Sequence, residues 1–107
     1  MIQQYGAAKA GFDQLTRCVA IELIEHGVGV NSVSPALIET GFLNDVGMAK
    51  EMSTKVEKYY VEHRDCIPVG AAGTPEDVAL LIAFVADRKF SSFIIGQSIS
   101  RFGNDIA

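Results

Sequence analysis

Along the first quarter of the chain, apolar residues fall at Ala8, Phe12, Leu15 and Val19 on one helical stripe. A second stripe holds Ala7, Ala10, Cys18, Ile21 and Ile24. Recurrence at three and four residues predicts one long helix from about Gln4 to His26. Two stripes make its apolar surface wider than a helix half in water needs, so it is expected to pack on a sheet with one side and on a further partner with the other. Gly27 stands where a left-handed C-cap belongs. Val28 to Ser34 then reads as a short strand closed by Pro35, which cannot continue a ladder.

From Asn44 or Asp45 to about His63 the pattern predicts a second helix, apolar through Met48, Met52, Val56 and Tyr59 or Tyr60. Its other face carries Lys50, Glu51, Lys55, Glu57, Lys58 and Glu62, with opposite charges three or four residues apart. Two Met and two Tyr on one helix suit an adaptable lid over a pocket, and they suit plain packing equally well. Thr74 reads as an N-cap, Pro75 as the first helical residue, and Glu76 and Asp77 as charges complementing the helix dipole. The helix they open runs to about Ala86 or Asp87 and is apolar nearly all round, which predicts a buried helix. Phe93 to Ile99 is the last expected strand, and Ser100 to Ala107 a polar tail.

A helix, a tight Gly turn and a strand make the αβ half of a βαβ unit, so the fold class is α/β with a parallel sheet. Ligands bind beyond the carboxyl ends of such strands. The segment from Ser34 to Phe42 sits there. Its Pro and small Ala let the backbone pass close to a ligand, and its free amides and the Thr40 hydroxyl suit an amide or phosphate group. It also reads as an ordinary strand-to-helix connection with Thr40 as a local cap.

Composition narrows the picture. With 107 residues the chain is at most one domain, and 49% hydrophobic content excludes a disordered chain. That content is high for the size and suggests surface meant to be covered. Net charge is −4 and the basic residues are scattered, against a nucleic-acid or anionic-membrane surface. The longest apolar run, Val78 to Ala86, falls far short of the roughly twenty residues that cross a bilayer. Met1 to Gln4 does not resemble a signal peptide, and a cytoplasmic setting is expected. Cys18 and Cys66 lack metal-ligand spacing and read as reduced, buried thiols, with a disulfide as the lesser reading. His26 and His63 each stand alone, and neither is assigned to a metal or to catalysis.

The candidate chemistry lies at the start. Tyr5 and Lys9 are four residues apart, hence one turn apart on one helix face. An ammonium beside a phenol favours the phenolate and draws its pKa down from about 10, which makes the phenol a usable general acid or base. The same spacing also describes an ordinary helix-surface pair, and on these two residues alone both readings stand.

Four motifs in order then decide between them: Tyr5-x-x-x-Lys9; Asn31-Ser32-Val33-Ser34-Pro35-Ala36-x-Ile38-x-Thr40; Gly73-Thr74-Pro75-Glu76-Asp77-Val78-Ala79; and Ile95-Gly96-Gln97-Ser98-Ile99. Together they resemble the C-terminal half of a short-chain dehydrogenase/reductase, over essentially the whole chain. The resemblance implies the C-terminal part of a Rossmann-type doubly wound parallel sheet, with three to four helices and two strands. It implies hydride transfer between NAD or NADP and a small carbonyl or alcohol substrate. Tyr5 would be the acid/base; Lys9 would lower its pKa and bind the cofactor ribose. Pro35, Ala36, Ile38 and Thr40 would lie beside the nicotinamide, with Ala36 where the family usually has Gly. No metal is implied.

The Gly-rich dinucleotide fingerprint of the family does not occur in these residues, nor do its catalytic serine and upstream asparagine. Residues 1–107 are therefore expected to be a C-terminal fragment of one such domain, with the nucleotide-fingerprint half absent. Its two strands would form a parallel pair with an open edge. An alternative reading follows, a non-catalytic interaction module. Through the wide surface of its first helix it would form a homo-oligomer or pair with a full-length homologue.

Overall fold

The computed structural model describes residues 2–65 and 67–100. Among them are five helices and two strands, in the order α1 (Ile2–Ile24), β1 (Ser32–Ser34), α2 (Phe42–Asp45), α3 (Lys50–Glu62), α4 (Pro75–Ala86), α5 (Arg88–Ser91) and β2 (Ser98–Ser100). The strands β1 and β2 pair in parallel, as the α/β reading requires. Two compact units divide the chain, one built from the residues up to Ser34 with Leu81–Ile99, the other from Pro35–Leu80.

In the first unit, α1 ends as expected. Gly27 adopts φ 74°, the Val28 amide donates to the Leu23 carbonyl at 3.3 Å, and the Gly27 amide donates to Ile24 at 2.9 Å. These two bonds satisfy carbonyls that the helix itself leaves open. The face that α1 buries differs from both predicted stripes. Thr16 and Ala20 are buried and Asp13, Val19 and Leu23 half-buried, whereas Phe12, Leu15 and Ile21 face outward. Small and polar side chains suit the covered side: at Ala20 main chain approaches closely, since a Cβ built on Gly96 would lie 3.3 Å from that of Ala20, and at Asp13 a hydroxyl does.

Both strands are shorter than expected. Ahead of the regular ladder the Val30 carbonyl accepts the Gly96 amide at 2.8 Å. Beside it Asn31 pairs through its side chain, donating from Nδ2 to the Ile94 carbonyl at 2.8 Å and accepting the Gln97 amide on Oδ1 at 3.0 Å. On the other side Gly96 turns at φ 69°, which interrupts extended backbone before β2 can begin. The regular pairing is thus confined to Ser32–Ser34 and Ser98–Ser100.

In the second unit the expected helix from residue 44 to 63 is two helices. Gly47 at φ 94° ends α2 with the same pair of bonds as Gly27: Met48 amide to Leu43 carbonyl, 2.9 Å, and Gly47 amide to Asn44 carbonyl, 3.0 Å. Ser53 then bridges the break, donating to Asn44 Oδ1 at 2.8 Å and to the Lys50 carbonyl at 2.9 Å. Of the charge pairs expected on α3, Lys58–Glu62 forms at 3.7 Å.

Two burial expectations are corrected. No residue of α4 is buried, and Leu80 is 71% exposed. Cys18 is an exposed free thiol, not a buried one. In both cases an apolar pattern reports surface that can be covered, and cover depends on what packs there. Among the described apolar residues only Ala20 and Ile67 are buried, at 1% and 2% exposure. Cys66 and the polar tail beyond Ser100 lie outside the described residues.

Candidate active site

The first turns of α1 bring Tyr5 and Lys9 together as the spacing predicts. Lys9 Nζ stands 5.4 Å from the centroid of the Tyr5 ring, within cation–π range. Tyr5 is 64% exposed and Lys9 is exposed, so phenol and ammonium both reach solvent where a ligand could meet them. One turn further along α1, Asp13 Oδ1 accepts the Ser98 hydroxyl at 2.8 Å. That bond and the seat of Gly96 on Ala20 attach the middle of α1 to the segment leading into β2. The helix carrying the pair is thereby held by contacts that begin one turn beyond Lys9.

Pro35, Ala36, Ile38 and Thr40 belong to the second unit. Their loop is tied down by main chain. Glu39 donates its amide to the Gly73 carbonyl at 2.8 Å, Gly73 donates to Leu37 at 3.0 Å, and Ile38 and Gly73 form a parallel bridge. A Cβ on Gly73 would lie 2.8 Å from Ile38 Cδ1, so the end of that side chain packs directly against the glycine. Thr40 Oγ1 accepts the Phe42 amide at 3.3 Å, as a local cap does, and among the described residues its own proton has no acceptor. Ala36 is half-buried and lines two adjoining clefts, one of about 390 Å³ with Ile67, Val69 and Asp77, the other of about 240 Å³ with Phe42 and Leu43.

Asp77 lines the larger of these clefts. Its carboxyl lies below the usual 3.8 because it accepts hydrogen bonds from the Thr74 amide and then from the Thr74 hydroxyl, which favour the anion over a small opposing effect of burial. Among the described residues no group of His, Cys, Asp and Glu side chains could hold a metal ion. No described helix is long and apolar enough to cross a membrane.

Asp13 and Ser98 were not legible as site neighbours in the sequence, since 85 positions separate them. The only local signal is that Asp13 interrupts an apolar stretch of α1 at four residues from Lys9.

The profile of the family described as "Enoyl-(Acyl carrier protein) reductase" matches residues 1–101. The uncharacterized oxidoreductase YxbG of Bacillus subtilis (strain 168) is 33% identical over 103 residues, covering 96% of this chain and 37% of that protein. The human (3R)-3-hydroxyacyl-CoA dehydrogenase is 39% identical over 100 residues, 92% of this chain and 34% of that one. Among solved structures, a short-chain dehydrogenase/reductase of unknown function from Caenorhabditis elegans, crystallised with cofactor, superposes with a TM-score of 0.85. It is 51% identical, over 90% of this chain and 35% of its own. The chain thus spans about a third of the length of the curated relatives it matches.

Proposed function

This chain belongs to the short-chain dehydrogenase/reductase family, and we propose that it carries the proton-transfer pair of an NAD(P)-dependent oxidoreductase acting on a small carbonyl or alcohol. The observation that carries this reading is the Lys9 ammonium over the ring of Tyr5, with both side chains open to solvent. In the reducing direction the Tyr5 hydroxyl gives its proton to the substrate's carbonyl oxygen. In the oxidising direction it receives the proton of the alcohol. Lys9 stabilises the negative charge that develops on the phenolic oxygen. Its three donors also suit the hydroxyls of a ribose, and among the described residues it has no ion partner to compete for them.

NAD(P) fits these donors and supplies or accepts the hydride. Pro35, Ala36, Ile38 and Thr40 would border its nicotinamide, with the free Thr40 proton as the donor to the amide. The main-chain bonds at Glu39 and Gly73 support that reading, since they hold the loop in one conformation. The relatives' names, being those of oxidoreductases, favour this over the non-catalytic interaction module.

Two measurements test the proposal. Residues 1–107 by themselves are expected to be inactive, so the first test uses a chain that also carries the nucleotide-binding half. There Tyr5→Phe is expected to abolish turnover on a carbonyl panel while NAD(P)H affinity stays near that of the parent, and turnover within a few-fold of the parent overturns the role of Tyr5. Calorimetric titration with NADH and with NADPH reads whether residues 1–107 bind the cofactor: saturable binding at micromolar levels supports the reading, and none in a folded sample moves this chain from enzyme to fragment or partner.

A further inference from the structure

Asp13 follows Lys9 by four residues, the spacing at which opposite charges on a helix meet. They do not pair. Among the described residues the ion pairs are Glu25–His26 and Lys58–Glu62. Lys9 turns to Tyr5, and the Asp13 carboxylate accepts the hydroxyl of Ser98 at 2.8 Å. Asp13 and Ser98 are both half-buried, whereas Lys9 is exposed. We propose that Ser98 is a positioning residue for Lys9: by holding the Asp13 carboxylate toward β2, it withholds the ion partner that would draw the ammonium down the helix, away from Tyr5.

The balance is fine enough for one hydroxyl to tip it. An exposed ion pair and an exposed cation–π contact are of comparable strength. Lysine preceding its acid is the weaker order for a helical pair. A carboxylate turned toward β2 therefore loses the ammonium to the ring, and a carboxylate set free competes for it. For its catalytic meaning the inference rests on Tyr5 and Lys9 being the proton-transfer pair; its geometry is testable without turnover.

The test is proton NMR of the chain, in which the Lys9 methylene protons carry an upfield ring-current shift from Tyr5. Ser98→Ala is expected to diminish that shift. Ser98→Thr, which keeps the hydroxyl, is expected to preserve it. Ser98→Ala combined with Asp13→Asn is expected to restore it, because an amide offers no charge to the ammonium. Where Tyr5→Phe has established the pair as catalytic, turnover should follow the same order, with a fall of about two- to fivefold in Ser98→Ala. A purely structural hydrogen bond predicts no recovery in the double variant. A full shift in Ser98→Ala, or no recovery in the double variant, overturns the proposal. The expected pattern of shifts without turnover overturns the functional reading and leaves the positioning role standing. If Ser98→Ala fails to fold, Ser98→Val takes its place, since it removes the hydroxyl while keeping the shape of the threonine variant: a shift below that of Ser98→Thr supports the proposal and an equal shift overturns it.

Discussion

Thr74 and Asp77 close a reciprocal ring at the head of α4. The Asp77 carboxylate accepts the Thr74 amide at 2.8 Å and its hydroxyl at 3.0 Å, while the Asp77 amide donates to the Thr74 hydroxyl at 3.3 Å. Each residue supplies what the other's backbone lacks at a helix start. Thr74→Ala removes one half of the ring and is expected to lower stability by about 1 kcal/mol in urea unfolding. A change below about 0.3 kcal/mol, outside the usual range for a cap, would mean that water replaces the hydroxyl without loss.

The same ring sets a pH dependence. The carboxyl of Asp77 is lowered in the folded chain relative to 3.8. A lowered folded-state value means that stability is fully present above 3.8 and is lost as pH falls through the folded value. Asp77→Asn should flatten that acid limb and leave the neutral plateau parallel to the parent's. An acid limb unchanged in the variant would assign the loss to other carboxylates.

Gly96 joins a left-handed backbone to a close approach, with φ 69° and Ala20 Cβ 3.3 Å from where a side chain would begin. Gly96→Ala is expected to cost about 1–2 kcal/mol, from the left-handed conformation alone and then from the contact. Gly6→Ala serves as the control, since nothing lies near its added methyl and it sits within a helix; it should be neutral or stabilising.

Asn31→Ala should cost about 1–3 kcal/mol, because it leaves the Ile94 carbonyl and the Gln97 amide without their partner. Asn31→Asp keeps the acceptor for Gln97 and loses the donor to Ile94, so it should fall between alanine and the parent. Equal losses for both variants would mean that the Gln97 bond contributes little.

Where structure is decided locally, the sequence was readable. Thr74-Pro75 announces α4, Gly27 ends α1, and the spacing of Tyr5 and Lys9 puts them one turn apart whatever else the chain does. Gly47 carried the same signal as Gly27, but the charged and apolar faces around it continue in phase, so the periodicity masked the break between α2 and α3. α5 spans only Arg88–Ser91, too short for a periodic pattern; its one local sign is Asp87, which caps it by accepting the Lys89 amide at 2.9 Å. The strand ends at β1 and β2 depend on Asn31 meeting Ile94 and Gln97 across more than sixty residues, and no local pattern encodes such a meeting. The covered face of α1 was hidden for the same reason: Asp13, Thr16 and Ala20 are neither large nor uniformly apolar.

The small buried set, Ala20 and Ile67 among the described apolar residues, with Phe93 98% exposed, has a calorimetric consequence. A well-packed domain of this length would gain about 1.3–1.6 kcal/mol/K of heat capacity on unfolding, most of it from newly wetted apolar surface. Here much of that surface is wet already. The increment should fall well below that range, and the stability curve should be broad and shallow against temperature, with a correspondingly gentle dependence on urea.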